Sequence, residues 1–187
     1  MCRTEMYWGF ESLSFRYTLS EYGGIIMSEI SLIEVKPAEI ELLHQMQVES
    51  FMPLYEKYHD GESPAIEPIE KVRSRAELPR RKYFFIVSDG QKVGAINIGN
   101  KPRDNDNTIF YISPLFILPE FQNLGIGFAA IGKAFEMHPE ATVWRLATIL
   151  QEPANCHLYE KCGFERTGEE TVINEKMTIV GYERRIG

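Results

Sequence analysis

The stretch Leu118-Pro119-Glu120-Phe121-Gln122-Asn123-Leu124-Gly125-Ile126-Gly127 constrains this chain most. An apolar run, Leu115-Phe116-Ile117-Leu118, leads into it and reads as a strand. Phe128, Ile131 and Phe135 follow at i, i+3, i+7 and read as the buried face of a helix. Two glycines therefore stand where a strand gives way to a helix. The first N–H groups of a helix lack partners within it, and the helix dipole adds partial positive charge there, so the place suits an anion. Glycine has no Cβ and lets a phosphate come close to the backbone.

Gly125-Ile126-Gly127-Phe128-Ala129-Ala130 also satisfies the dinucleotide pattern G-x-G-x-x-A. That pattern wants its first Gly directly after the strand and an acid at the end of the next strand. Here Pro119 to Leu124 intervene, and the next apolar run, Val143 to Leu150, carries no acid. A dinucleotide-binding oxidoreductase is the weaker reading.

The 187 residues suit one domain with a real core. A net charge of -7 argues against a general nucleic-acid binder, whose affinity comes from basic groups on phosphates. The same balance mildly favours a cationic or amine substrate. Cys2, Cys156 and Cys162 form no CxxC pair and no metal-ligand spacing. They read as reduced thiols of a cytoplasmic protein, and no metal is expected. No apolar run approaches the roughly 20 residues of a membrane span, so no membrane partner is expected.

Residues 1–26 show no clean periodicity, and Met27-Ser28-Glu29 looks like a start followed at once by a strand. Two readings stand: an over-called start, or an arm that packs on the domain or on a partner subunit. The domain proper is read as 27–187. Ile30 to Lys36 alternates as a strand. Ala38 to Phe51 reads as a helix and Ile66 to Leu78 as a short second one, interrupted by Pro68. Asp89-Gly90 joins two strands, Tyr83 to Ser88 and Lys92 to Ile98, in a hairpin. Thr108 to Leu118 is the next strand. Pro114 lies inside it and donates no ladder bond, so a bulge or an unpaired side is expected there. Gly127 to His138 is a helix, Thr142 to Leu150 a strand, and Ala154 to Cys162 a short helix closed by Gly163. Two final strands run from Phe164 and from Met177 to Arg184. The basic cluster Arg80-Arg81-Lys82 reads as a solvated strand entry, with a phosphate contact the lesser alternative.

Gln122-Asn123-Leu124-Gly125-Ile126-Gly127, with its preceding strand and following helix, resembles motif A of the GNAT superfamily of N-acetyltransferases. Leu158-Tyr159-Glu160-Lys161-Cys162-Gly163-Phe164 resembles the end of that family's motif B. The resemblance implies an α/β fold: a mixed, mostly antiparallel sheet, splayed at a central bulge and flanked by helices. It implies acetyl-CoA as acyl donor and an amine as acceptor. It assigns the pyrophosphate to the loop, so the cofactor-binding set is Ile117, Leu118, Gln122, Asn123, Leu124, Gly125, Ile126, Gly127 and Phe128, with Asn155. Asn155 precedes Tyr159 by four residues where the family commonly has seven; either spacing leaves both on one helix face. A backbone N–H near Ile117 or Leu118 is the family's donor to the oxyanion, and Tyr159 is the implied acid for the departing thiolate.

An amine with a pKa of about 10.4 must lose a proton before it attacks. Candidate bases are Glu152, His157, Glu49 and His59, or positioning alone serves. Cys156 is not read as a nucleophile, because His157, its sequence neighbour, does not face it on a helix. The chain reads as a bacterial acetyltransferase, with a homodimer open. The alternative is an acyl-CoA-binding or sensing module without catalysis.

Overall fold

Strands β4 (Arg81–Ser88) and β5 (Gln91–Gly99) are buried along most of their length. A strand whose alternate side chains are all buried must be covered on both faces. Phe84 and Ile86 of β4 enter one apolar cluster, and Tyr83, Phe85 and Val87 enter another. The first cluster lies under α3 (Ile126–Met137) and α4 (Pro153–Lys161). The second lies under α1 (Ile40–Tyr58) and α2 (Ile69–Ala76). The computed structural model describes residues 29–101 and 104–186, with the backbone of two dipeptide strands, β1 (Thr18–Leu19) and β2 (Ile25–Ile26). Those two pair antiparallel. The choice between the two readings of residues 1–26 otherwise lies outside the described residues.

The remaining strands are β3 (Ile30–Glu34), β6 (Ile109–Ile117), β7 (Val143–Ile149), β8 (Glu165–Asn174) and β9 (Met177–Arg185). They join β4 and β5 in one sheet of order β3-β4-β5-β6-β7-β9-β8. β6 and β7 pair in parallel; the other neighbours are antiparallel. This is the expected mixed, mostly antiparallel sheet, and not the parallel sheet that the weaker dinucleotide-binding reading requires. Asp89 and Gly90 both have positive φ (49° and 80°), as a tight hairpin turn between twisted strands requires.

The bulge lies at Pro114. Ile96 faces Leu115 and Ile98 faces Ile112, so two steps along β5 oppose three along β6. Arg81 Nη2 donates to Ser113 O at 2.8 Å and ties the bulged segment to the start of β4. On its other side β6 pairs with β7 from Ile109–Val143 only as far as Tyr111–Arg145. Beyond that point β6 runs six more residues to Ile117 without β7 beside it, a gap of about 20 Å at roughly 3.3 Å per residue.

Two helix boundaries differ from the sequence expectation. α1 does not stop at Phe51 but continues to Tyr58, through Pro53. Proline removes one helical hydrogen bond, yet the apolar face continues past it as Leu54 and Tyr58, and burial outweighs the loss. The second helix is shorter than expected: Pro64–Ile66 is a separate 3-10 turn, and α2 begins only after Pro68.

Candidate active site

A cavity of about 520 Å³ opens where β6 and β7 part. Its walls come from the C-terminal half of α1, the end of β6, the loop into α3 and the first turns of α3 and α4. Gly125 caps α3 with φ 77°, and Asn123 before it has φ 59°. The first helical bond of α3 runs from Ala129 N to Gly125 O, so the N–H groups of Ile126, Gly127 and Phe128 have no partner within the helix. Three adjacent donors at a positive helix end, beside a cavity of this size, fit the diphosphate of a nucleotide-bearing acyl donor.

The two glycines serve different ends. A Cβ at Gly125 meets no protein atom within 4 Å, so its left-handed φ is what demands glycine. Gly127 has ordinary helical backbone, but a Cβ there stands 3.2 Å from Leu158 Cδ2. Its missing side chain lets α3 pack closely on α4.

Ile117, Gln122, Asn123, Gly125, Ile126, Gly127, Phe128 and Asn155 all border this cavity. Leu118 and Leu124 do not. The Leu118 side chain is buried in the cluster under α1, and its N–H donates to Val93 O at 2.9 Å, so it has no N–H to give. In an antiparallel ladder successive residues alternate between facing the partner strand and facing away. With Leu118 bonded to β5, the Ile117 N–H turns toward the side that β7 has left. The Leu124 side chain is exposed. Gln122 Nε2 donates to Ile117 O at 2.9 Å and ties the loop to the end of β6.

A second cavity, of about 210 Å³, lies beside the first. Phe51, Leu54, Leu115, Asn155 and Tyr159 border both. Tyr159 is 8% exposed and packs edge-on to Phe164. Burial pushes its hydroxyl above the ordinary phenol value of about 10, with smaller contributions from Cys162 and Cys156, so it holds its proton at neutral pH.

Of the four candidate bases, Glu152 borders the larger cavity; Glu49, His59 and His157 are exposed and border neither. Glu152 Oε1 accepts from Lys57 Nζ and from Tyr58 Oη, each at 2.6 Å. Burial, the largest influence, pushes the Glu152 carboxyl up. The bonds from Lys57 and Tyr58 and the Lys57 charge outweigh it, and the group sits below its ordinary value. Lys57 borders the larger cavity and Tyr58 the smaller, so this contact straps α1 to the start of α4 across both. Asn174 Nδ2 adds a bond to Tyr58 O at 3.0 Å.

Sequence reading missed Lys57 and Tyr58, because Pro53 hid the last two turns of α1, and it read Asp60 as part of a loop with no role. The continued spacing Phe51, Leu54, Tyr55, Tyr58 was the signal available. The basic cluster stays structural: Arg80 bonds Asn107, Arg81 bonds Ser113 and Lys82 pairs with Glu34, and none borders the larger cavity. Cys156 and Cys162 are buried and unbridged, and neither borders either cavity. Burial pushes the Cys162 thiol up to about 12. Among the described residues there is no cluster of three His, Cys, Asp or Glu able to hold a metal, and no helix is long and apolar enough to cross a membrane.

Solved structures share this architecture. An acetyltransferase from Thermus thermophilus matches with TM-score 0.65 and 20% identity, over 84% of this chain and 97% of its own. A GNAT-family acetyltransferase from Streptococcus pneumoniae matches with TM-score 0.64 and 18% identity, over 85% and 100%. Spermidine N-acetyltransferase from Vibrio cholerae, in complex with CoA and spermine, matches with TM-score 0.66 and 17% identity, over 83% and 95%. No curated protein sequence matches the chain. The family model described as acetyltransferase (GNAT) matches residues 43–164, which span the whole of both cavities' shared wall. On that match, and on a sheet splayed beside a glycine-capped helix, the chain belongs to the GNAT family of acetyl-CoA-dependent acetyltransferases.

Proposed function

We propose that this protein moves an acetyl group from acetyl-CoA directly to an amine, with acetyl-CoA in the larger cavity and the amine in the smaller. One observation carries the reading: Tyr159 and Asn155 stand on the wall that the two cavities share. A thioester reaching that wall from one side meets an amine arriving from the other. Placing both reactants in line removes much of the entropic barrier.

The residues divide the work. N–H groups of Ile126, Gly127 and Phe128 hold the diphosphate, with Gln122 bracing the loop. The Ile117 N–H, turned into the gap, donates to the thioester oxygen as negative charge develops there; one such donor is worth about 2.7–4 kcal/mol. The amine nitrogen forms its bond to the carbonyl carbon, the carbon–sulfur bond breaks, and Tyr159 gives its proton to the departing sulfur. Glu152 is held ionised beside Tyr58, whose hydroxyl reaches it from the wall of the smaller cavity. That pair offers the amine proton a way out to solvent.

The test is thiol release. Acetyl-CoA incubated with a panel of primary amines is expected to give free CoA at a rate that depends on the amine. Tight acetyl-CoA binding with no amine-dependent release would assign the chain to the binding or sensing class instead.

A further inference from the structure

The smaller cavity carries its own statement about the acceptor, which rests on reading that cavity as the amine site. Its walls include the apolar Leu54, Pro64, Ile112 and Met177. No Lys, Arg or His borders it, and Asp60 is the only charged side chain that does, among the described residues. An acceptor with a carboxylate or phosphate finds no counter-charge there.

Asp60 is half-buried in the turn that follows α1. Its Oδ1 accepts the Glu62 N–H at 3.0 Å. None of the ion pairs among the described residues includes it. A carboxylate that has lost part of its hydration is normally paired with a cation. Asp60 is available to such a cation from the cavity that it borders.

Position decides which cation. Asp60 borders the smaller cavity alone, whereas Asn155 and Tyr159 border both. Asp60 is therefore off the shared wall where the two reactants are proposed to meet. Beside the reacting nitrogen a carboxylate would favour the ammonium form, which has no lone pair to attack with. At the far end it binds a second cation without that cost. Size narrows the class further. The cavity holds about 210 Å³, below the roughly 300–1,000 Å³ of sites for drug-sized ligands.

We propose that the acceptor is a compact aliphatic diamine. Its neutral nitrogen lies at the Asn155–Tyr159 wall, its methylenes lie along the apolar walls, and its second, protonated nitrogen pairs with Asp60.

Three probes of one length test this: 1,4-diaminobutane, butylamine and 4-aminobutanoate, which end in an ammonium, a methyl and a carboxylate. In the wild-type protein kcat/KM is expected to be at least about tenfold higher for the diamine than for butylamine, the scale of one charge-assisted bond. 4-Aminobutanoate is expected to be the poorest. Asp60→Asn keeps the shape and removes the charge. It is expected to bring the diamine down to the level of butylamine and to change butylamine itself less than about twofold. A wild-type preference for butylamine or 4-aminobutanoate overturns the proposal without need of any variant. So does an Asp60→Asn protein that loses activity on all amines alike. Turnover of bulky amines but none of these three overturns the diamine and leaves acetyl transfer standing. Release of CoA with no amine at all would remove both.

Discussion

The two cavities that meet at Tyr159 are built in different ways. The larger takes about half of its wall from one stretch, Leu115 to Phe128, which offers the free backbone N–H groups at the start of α3. The smaller takes its wall from α1, the turn after it, the bulge of β6, β7, α4 and β9, and its polar contacts are side chains. A phosphate asks only for N–H groups fanned out at a helix start, and any sequence offers these if a glycine allows the turn. An acceptor asks for particular side chains at particular places, and no local pattern supplies them. On the proposed assignment, acyl-donor recognition is local in this chain and acceptor recognition is assembled.

Four measurements break or sharpen that division. Tyr159→Phe strikes the shared wall and should have the largest effect: turnover falls by about 10²-fold or more, the low end for a positioned proton donor, while acetyl-CoA affinity changes little. Near-normal turnover would make Tyr159 a packing aromatic. Because burial holds its hydroxyl above 10, kcat should show no falling limb below about pH 10 that disappears in Tyr159→Phe.

Gly125→Val strikes the donor side alone. Holding a β-branched residue at φ 77° costs about 1–3 kcal/mol, so the loop relaxes and acetyl-CoA binding should weaken about 10- to 100-fold. The KM for the amine should stay near its wild-type value. Unchanged acetyl-CoA affinity in a folded protein would remove the loop from the donor site, and an equal loss on both substrates would show that the sides are not separable.

Glu152→Gln cuts the charge from the strap that spans both cavities. The folded-state value of Glu152 is depressed, so its contribution to stability is present above its unfolded value near 4.5 and is lost as pH falls through the folded value. The variant should melt below the wild type at pH 7, and the difference should close below about pH 4.5. A difference that persists into acid would mean that the Lys57 and Tyr58 bonds to Glu152 do not tie α1 to α4.

Gly127→Ala should matter least. The added methyl meets the flexible end of Leu158 at 3.2 Å, and the helix gains about 0.8–1 kcal/mol from losing a glycine. Thermal stability should move little and acetyl-CoA affinity should stay within about threefold. A much larger loss of affinity would give Gly127 the role in phosphate approach that its packing against α4 now accounts for.

The same division runs through what was legible before folding. The donor loop, the β6 strand with its bulge at Pro114, the hairpin at Asp89-Gly90 and the Tyr159 helix could each be read from short windows. Periodicity, turn residues and helix ends act over a few residues. Beyond the hairpin at Asp89-Gly90, the sheet's antiparallel character was legible only through family resemblance, since strand composition does not say which strand lies next to which. Between Ile117 and Leu118, ladder alternation favours Ile117 as the proposed oxyanion donor. Leu118 is bonded to Val93, a residue 25 positions away, and that pairing turns the neighbouring N–H outward.

By itself the sequence determined a glycine-capped helix after a strand, the order of elements along the chain and the residue types available for acyl transfer. These rest on backbone geometry and hydrophobic period, both local. Only the tertiary structure brought Glu152 to Lys57 and Tyr58, 95 and 94 residues away, and only it left Asp60 as the one charged side chain on the smaller cavity's wall among the described residues. Such meetings depend on where β6 and β7 part and on how far α1 runs past Pro53. Both are decided by burial against distant strands, which no window of the chain contains.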